Sequence, residues 1–119
     1  MGYVRVKGVV ANPFKRELGV ELEFIADTRA IYTMIPKPIA EELELKELGK
    51  RRFKLASSET VECPVSEAYI TVEGIGVTSL VVIGPEEATP LLGSTTLELL
   101  GFEVDPVEKK LKPLELMML

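Results

Sequence analysis

The sequence predicts a mostly-β domain folded as a small closed or nearly closed barrel with two short helices. Three observations carry this expectation. Apolar and polar residues alternate with a period of two, as in "GVELEF", where Val20, Leu22 and Phe24 point one way and Glu21 and Glu23 the other. The strand-like runs are short and are punctuated by glycine- or proline-bearing turns. Only two stretches, one opening at Pro36 and one following Gly93, carry helical spacing. Many short strands with so little helix bury their apolar faces best by curling into a barrel.

In chain order, Val4, Val6 and Val9 suggest the first strand, and "GVELEF" the second, ending at Ile25, Ala26 and Asp27. "AIYTMI" is β-branched and aromatic and predicts a further strand soon after Asp27. Pro36 and Pro38 open a short helix, since proline is tolerated in the first turn; Ile39 and Leu43 form its apolar face, while Glu41, Glu42 and Glu44 face water. "RRFKL" and "TVECPV" flank "ASSE" as a hairpin, and "EAYITV" and "VTSLVVI" read as two more strands about the turn "EGIG". Thr95 and Glu98 fit a capping box for the second helix, whose apolar face is Leu97 and Leu100 and whose end is Gly101. "FEV" and "KKL" straddle a turn at Asp105 and Pro106, and the tail "LELMML" is unusually apolar.

A chain of 119 residues is expected to form one domain, 1–119, and can bury roughly two-thirds of its unfolded surface. No linker, solenoid repeat or low-complexity segment interrupts it. The net charge of −5 and the pI near 4.9 argue against a nucleic-acid partner. The basic cluster Lys50, Arg51, Arg52 and Lys54 reads as a solvated strand edge. There is no histidine, which excludes Ser-His and Cys-His nucleophile pairs within the chain. The single Cys63 allows no intrachain disulfide and supports no Cys/His zinc site; it alternates with Val61 and Val65 and is expected to be a small buried apolar residue. Neither metal nor cofactor is expected. No run approaches the ~20 apolar residues of a membrane helix, and neither a signal-peptide core nor a myristoylation pattern is present, so a cytoplasmic home and no membrane partner are expected. One asparagine, no glutamine and abundant Glu and Lys resemble thermophile usage.

"GIGVTS" fails as a dinucleotide fingerprint, because Ser79 stands at the third glycine and no helix follows. Asp27-Thr28 is more informative. Asp27 is one of two aspartates against 17 glutamates, and it directly follows an apolar strand. Alone, Asp-Thr after a strand is most often a turn that bonds its own backbone. Here a second apolar segment, Pro90-Leu91-Leu92-Gly93, lies downstream before a short helix, with a hairpin around Ser57 to Thr60 between them.

Together these parts resemble the retroviral-type, retropepsin-like aspartic protease family, in its short prokaryotic form, over nearly the whole chain. "FIADTRAIYTMIPKPIAEELEL" is similar to the family's strand, Asp-Thr-Gly-Ala turn, second strand and helix, matched at Asp27, Thr28 and Ala30. "PLLGSTTLELLGFEVDPVEKKL" is similar to its apolar-apolar-Gly segment, here Leu91, Leu92 and Gly93, and the helix after it. The resemblance implies an aspartic endopeptidase in which two aspartates about 3 Å apart share a proton and activate a water against a peptide carbonyl. With one suitable aspartate per chain, it implies a homodimer pairing two copies of Asp27, acting on a peptide or protein substrate. Thr28 and Ala30 would support the dyad. The hairpin tip Ala56, Ser57, Ser58 and Glu59 would be a flap over substrate, with Arg29 beside it. Arg29 departs from the family's glycine. It leaves two readings open: an enzyme with altered substrates or pH dependence, or an inactive protease-like dimer kept for peptide binding or for structure.

Overall fold

The period-two patterning is realised as a ring of strands. The computed structural model describes residues 4–55, 57–115 and 118. β1 (Val4–Asn12) and β2 (Lys15–Ala26) pair as an antiparallel hairpin in the register Val4↔Ala26 to Ala11↔Gly19. β3 (Thr33–Pro36) leads directly into α1 (Lys37–Glu42), with Pro36 as its N-cap. β4 (Gly49–Lys54), β5 (Thr60–Val72) and β6 (Ile75–Gly84) form an antiparallel meander. β7 (Leu91–Leu92) precedes α2 (Ser94–Leu100), and β8 (Phe102–Asp105) with β9 (Lys110–Pro113) makes a separate two-stranded ribbon. The main sheet has the order β1-β2-β7-β3-β6-β5-β4, and β1 also pairs with β5 at Val9↔Thr71 to Ala11↔Tyr69. That extra pairing closes six strands into a ring and leaves β4 outside it as an edge. The expected mostly-β barrel with two short helices is therefore what forms.

Inward-facing residues of the ring and the inner faces of the helices make one core. Val4, Val10, Phe24, Ile35, Ile70, Val81, Leu92 and Leu97 are each no more than 1% exposed. Each such side chain stabilises the fold by about 1.5–3 kcal/mol relative to exposure. No helix among the described residues is long and apolar enough to cross a membrane.

Several local expectations need correction. β1 contains Val4, Val6 and Val9 as expected; of its valines, Val4, Val6 and Val10 are buried, and Val9 points outward at 38% exposure because alternation places Gly8 on the inner face. "TVECPV" and "EAYITV" belong to one strand of 13 residues. Pro64 sits where this strand pairs with β4 but has not yet met β6, whose pairing begins at Val65, so one edge is open and proline is tolerated. The turn between β5 and β6 is only Glu73 and Gly74, both at positive φ, and Ile75 and Gly76 already belong to β6. Cys63 is half-buried and free, on the hairpin and not in the core. The segment from Thr60 to Pro64 with β4 thus stands clear of the ring as a two-stranded hairpin.

Candidate active site

β2 delivers Asp27 to the end of a parallel pairing with β7, Ile25↔Leu91 and Ala26↔Leu92. The Ile25 N–H donates to Pro90 O at 3.0 Å and the Asp27 N–H to Leu92 O at 3.2 Å, so the backbone under the carboxylate is fixed from the far segment. The chain then turns, with Ala30 N–H donating to Asp27 O at 3.1 Å. The carbonyls of Ala30 and Ile31 accept the N–H groups of Ser94 and Thr95, at 2.8 and 3.0 Å. These bonds cap α2 with backbone. Gly93 is its N-cap, no side chain caps it, and Thr95 lies inside the helix, which corrects the capping-box expectation. They also keep Ile31 and Tyr32 in the loop, so β3 begins only at Thr33. Gly93 has no room for a side chain: a Cβ there would lie 2.5 Å from the Tyr32 carbonyl carbon and 2.7 Å from Ile31 O.

Beneath this turn lies a buried relay of hydroxyls that the sequence did not suggest. Gly93 N–H donates to Thr33 Oγ1 at 3.0 Å; Thr33 Oγ1 and Thr96 Oγ1 are 2.6 Å apart, and Thr96 Oγ1 and Ser79 Oγ 2.8 Å. Ser79 Oγ donates to Leu80 O at 3.2 Å, so the protons run one way, Thr33 to Thr96 to Ser79 to carbonyl. All three hydroxyls are at most 3% exposed and all are satisfied. The available signal was their placement, in "AIYTMI", "VTSLVVI" and "GSTTLELL", among residues that pattern as apolar and inward.

Asp27 is engaged by Arg29. The Arg29 backbone N–H donates to Asp27 Oδ1 at 3.0 Å, its Nε to Oδ1 at 3.2 Å, and its Nη2 to Oδ2 at 3.2 Å. This is a bidentate fork added to an Asx-type turn. The side chain of Asp27 is 21% exposed and that of Arg29 is 71% exposed. The Arg29 side-chain bonds, then its backbone bond, hold the Asp27 carboxyl below its ordinary value; partial burial opposes them. Thr28 is exposed, and its hydroxyl has no hydrogen-bond partner among the described residues.

Asp27, Arg29, Ala30 and Leu91 border a groove of about 1420 Å³. The projecting hairpin forms its opposite wall through Phe53, Leu55, Val61 and Cys63. The hairpin rests on Tyr32: the Tyr32 and Phe53 rings meet edge to face at 5.9 Å, and Arg51 Nη1 donates to the Tyr32 hydroxyl at 3.2 Å. Ser57, Ser58 and Glu59 form the exposed tip, where Leu55 N–H donates to Glu59 O and Ser58 adopts φ 74°. Ala56 lies outside the described residues. Leu92 and Gly93 are buried behind Asp27 and do not border the groove. Tyr32 and Phe53 are among the groove residues that carry no functional signal in the sequence, where both pattern as strand positions.

A sequence profile described as aspartyl protease matches residues 13–104. No curated protein sequence matches the chain. Among solved structures, simian foamy virus protease superposes with a TM-score of 0.59 at 17% identity, covering 81% of this chain and 93% of that one. The EIAV protease, solved with an inhibitor, gives a TM-score of 0.63 at 16% identity, covering 84% and 89%. A foamy viral protease-reverse transcriptase gives 0.61 at 21% identity, covering 98% of this chain and 13% of that longer one.

Proposed function

The chain belongs to the aspartyl protease family and has the retropepsin-like fold, and from that premise we propose that it is a homodimeric aspartic endopeptidase built on Asp27 from each of two copies. The observation that carries this is the position of Asp27: a partly buried carboxylate, fixed through its backbone by β7, on the floor of a groove walled by a hairpin. The other aspartate, Asp105, accepts from the N–H groups of Val107 and Glu108 in the β8–β9 turn and does not border the groove. The second carboxylate therefore comes from a second chain. In the paired state one Asp27 is ionised and takes a proton from water as its oxygen bonds to the peptide carbonyl carbon. The protonated partner gives its proton to the carbonyl oxygen. Collapse of the tetrahedral adduct breaks the C–N bond, the amine leaves with a proton, and the pair again holds one proton. Thr28, exposed beside Asp27, supplies hydroxyls across the twofold axis, and the hairpin excludes water over bound peptide.

A second reading is favoured by the bidentate Arg29 fork. If the guanidinium never leaves Asp27, no proton can be shared, and the dimer is an inert peptide-binding relative of the enzymes. A peptide-library digest from acid to neutral pH separates the two. Cleavage by the parent that is lost in Asp27→Asn supports the enzyme. A parent inert at every pH, with cleavage appearing in Arg29→Gly, supports the inert module. Cleavage that persists in Asp27→Asn removes Asp27 from either role.

A further inference from the structure

The arm that walls the groove has few attachments to the body of the protein. β4 is the edge of the sheet, and residues 51–54 pair only with residues 60–63, before β5 has met β6. Cross-strand partners share a face, so Arg51 with Cys63, and Phe53 with Val61, look the same way. That way is toward Tyr32. The Tyr32 and Phe53 rings meet edge to face at 5.9 Å, Arg51 Nη1 donates to the Tyr32 hydroxyl at 3.2 Å, and the Arg51 guanidinium carbon lies 5.9 Å from the centre of the Tyr32 ring. Among the described residues, no other hydrogen bond, ion pair or ring contact joins residues 51–63 to the rest of the chain. Tyr32 cannot follow the arm. Its backbone packs against Gly93, where a Cβ would not fit; Ile31 O before it accepts the Thr95 N–H, and Thr33 Oγ1 after it accepts the Gly93 N–H.

Resting on the reading of this groove as a peptide site, we infer that Tyr32 is the positioning residue of the arm: its ring and hydroxyl hold β4 and the start of β5 where they form the far wall of the groove. The ring contact and the hydrogen bond together favour the docked arm over a lifted one by about tenfold. The docked fraction is then roughly nine-tenths with Tyr32 and about one-half without it. Peptide is held only while the wall is in place, so affinity falls with the docked fraction. If the stiffness of the long β5 strand alone fixed the arm, nothing would be required of Tyr32.

Cys63, the single cysteine of the chain, is half-buried on the docked face, so its rate of alkylation by iodoacetamide reports the position of the arm. In the full chain, Tyr32→Ala should raise that rate about fivefold. Tyr32→Phe keeps the ring and Arg51→Met keeps the hydroxyl; each should raise it about twofold, and the double variant little further, because both remove the same bond. The urea midpoints of these two variants should stay at the parent's value, which a general loosening of the fold would not allow. Peptide binding is read on an Asp27→Asn background, without cleavage, from the anisotropy of a fluorescein-labelled decapeptide with a central Leu-Phe. Tyr32→Ala should weaken it about twofold. An alkylation rate unchanged in Tyr32→Phe and Arg51→Met alike overturns the inference, even if Tyr32→Ala fails to fold. So does faster alkylation of Tyr32→Ala with unchanged peptide affinity. If alkylation responds as expected but Asp27→Asn with Tyr32 intact binds no peptide, the anchoring of the arm stands and the peptide reading of the groove falls.

Discussion

At the residue scale the decisive contact is Arg29 on Asp27. In the native fold the carboxyl titrates below its ordinary 3.8, first because of the side-chain bonds from Arg29. A carboxyl with a lowered pKa stabilises the fold at pH above its unfolded value, and the contribution is lost as the pH falls through the lowered native value. In a dyad the same contact opposes the shared proton, because a neighbouring cation favours the doubly ionised state. The parent should therefore cleave peptides only in more acidic solution than Arg29→Gly does. In an NMR titration of the Asp27 carboxyl, Arg29→Gly should raise the midpoint, while the backbone bond from residue 29 keeps part of the depression. An unchanged midpoint in Arg29→Gly would show that the fork is not what holds Asp27 ionised. The sequence made the position of Asp27 legible, because it ends an alternating strand. It could not show which way Arg29 turns, since a side chain two residues from a carboxylate reaches it or not according to the turn between them.

At the element scale the β2–β7 pairing and the α2 cap act as one clamp on the Asp27 turn. Both depend on Gly93 and Thr33. Gly93→Ala forces a Cβ into the Tyr32 backbone, which cannot move without breaking the Ala30 and Ile31 bonds to α2. A loss of about 1–3 kcal/mol is expected in urea unfolding. Thr33→Val is close in shape but leaves the Gly93 N–H without its buried acceptor and Thr96 without its donor, and about 1–3 kcal/mol should be lost. Thr96→Val, which removes the middle of the same relay, should cost less than additively when combined with Thr33→Val; a strictly additive double variant would show that the hydroxyls do not act together. These elements were legible unevenly. The strands β1 and β2, the hairpin at Ser57 and the Gly101 helix end follow from alternation and turn chemistry. The length of β5 does not, because Pro64 looks like a strand end until its open edge is known. The α2 cap does not either, since the distant backbone carbonyls of Ala30 and Ile31 supply it and leave no side-chain signature.

At the scale of the whole molecule, the closed ring uses up the sheet's inner faces but leaves the region around Asp27 incomplete. Thr28 offers a hydroxyl with no hydrogen-bond partner among the described residues, and the neighbouring Ile31 is 60% exposed. The unusually apolar tail 114–119 predicts termini in or near a dimer contact; Leu116, Met117 and Leu119 lie outside the described residues. One suitable aspartate per chain makes the stoichiometry of activity a direct test of assembly. Below the dimer dissociation constant, the cleavage rate should rise with the square of protein concentration. Parent mixed with excess Asp27→Asn should lose activity, because each mixed dimer holds one carboxylate and one amide. With random exchange at a one-to-three ratio, about one-sixteenth of dimers retain two copies of Asp27. Sedimentation equilibrium on the same mixtures reports whether dimers form. Asp27→Asn alone should dimerise at least as tightly as the parent, since two close carboxylates repel and the amides do not. A rate linear in concentration across the range where sedimentation shows only monomer would place the chemistry within one chain, and the two-chain dyad would have to be abandoned.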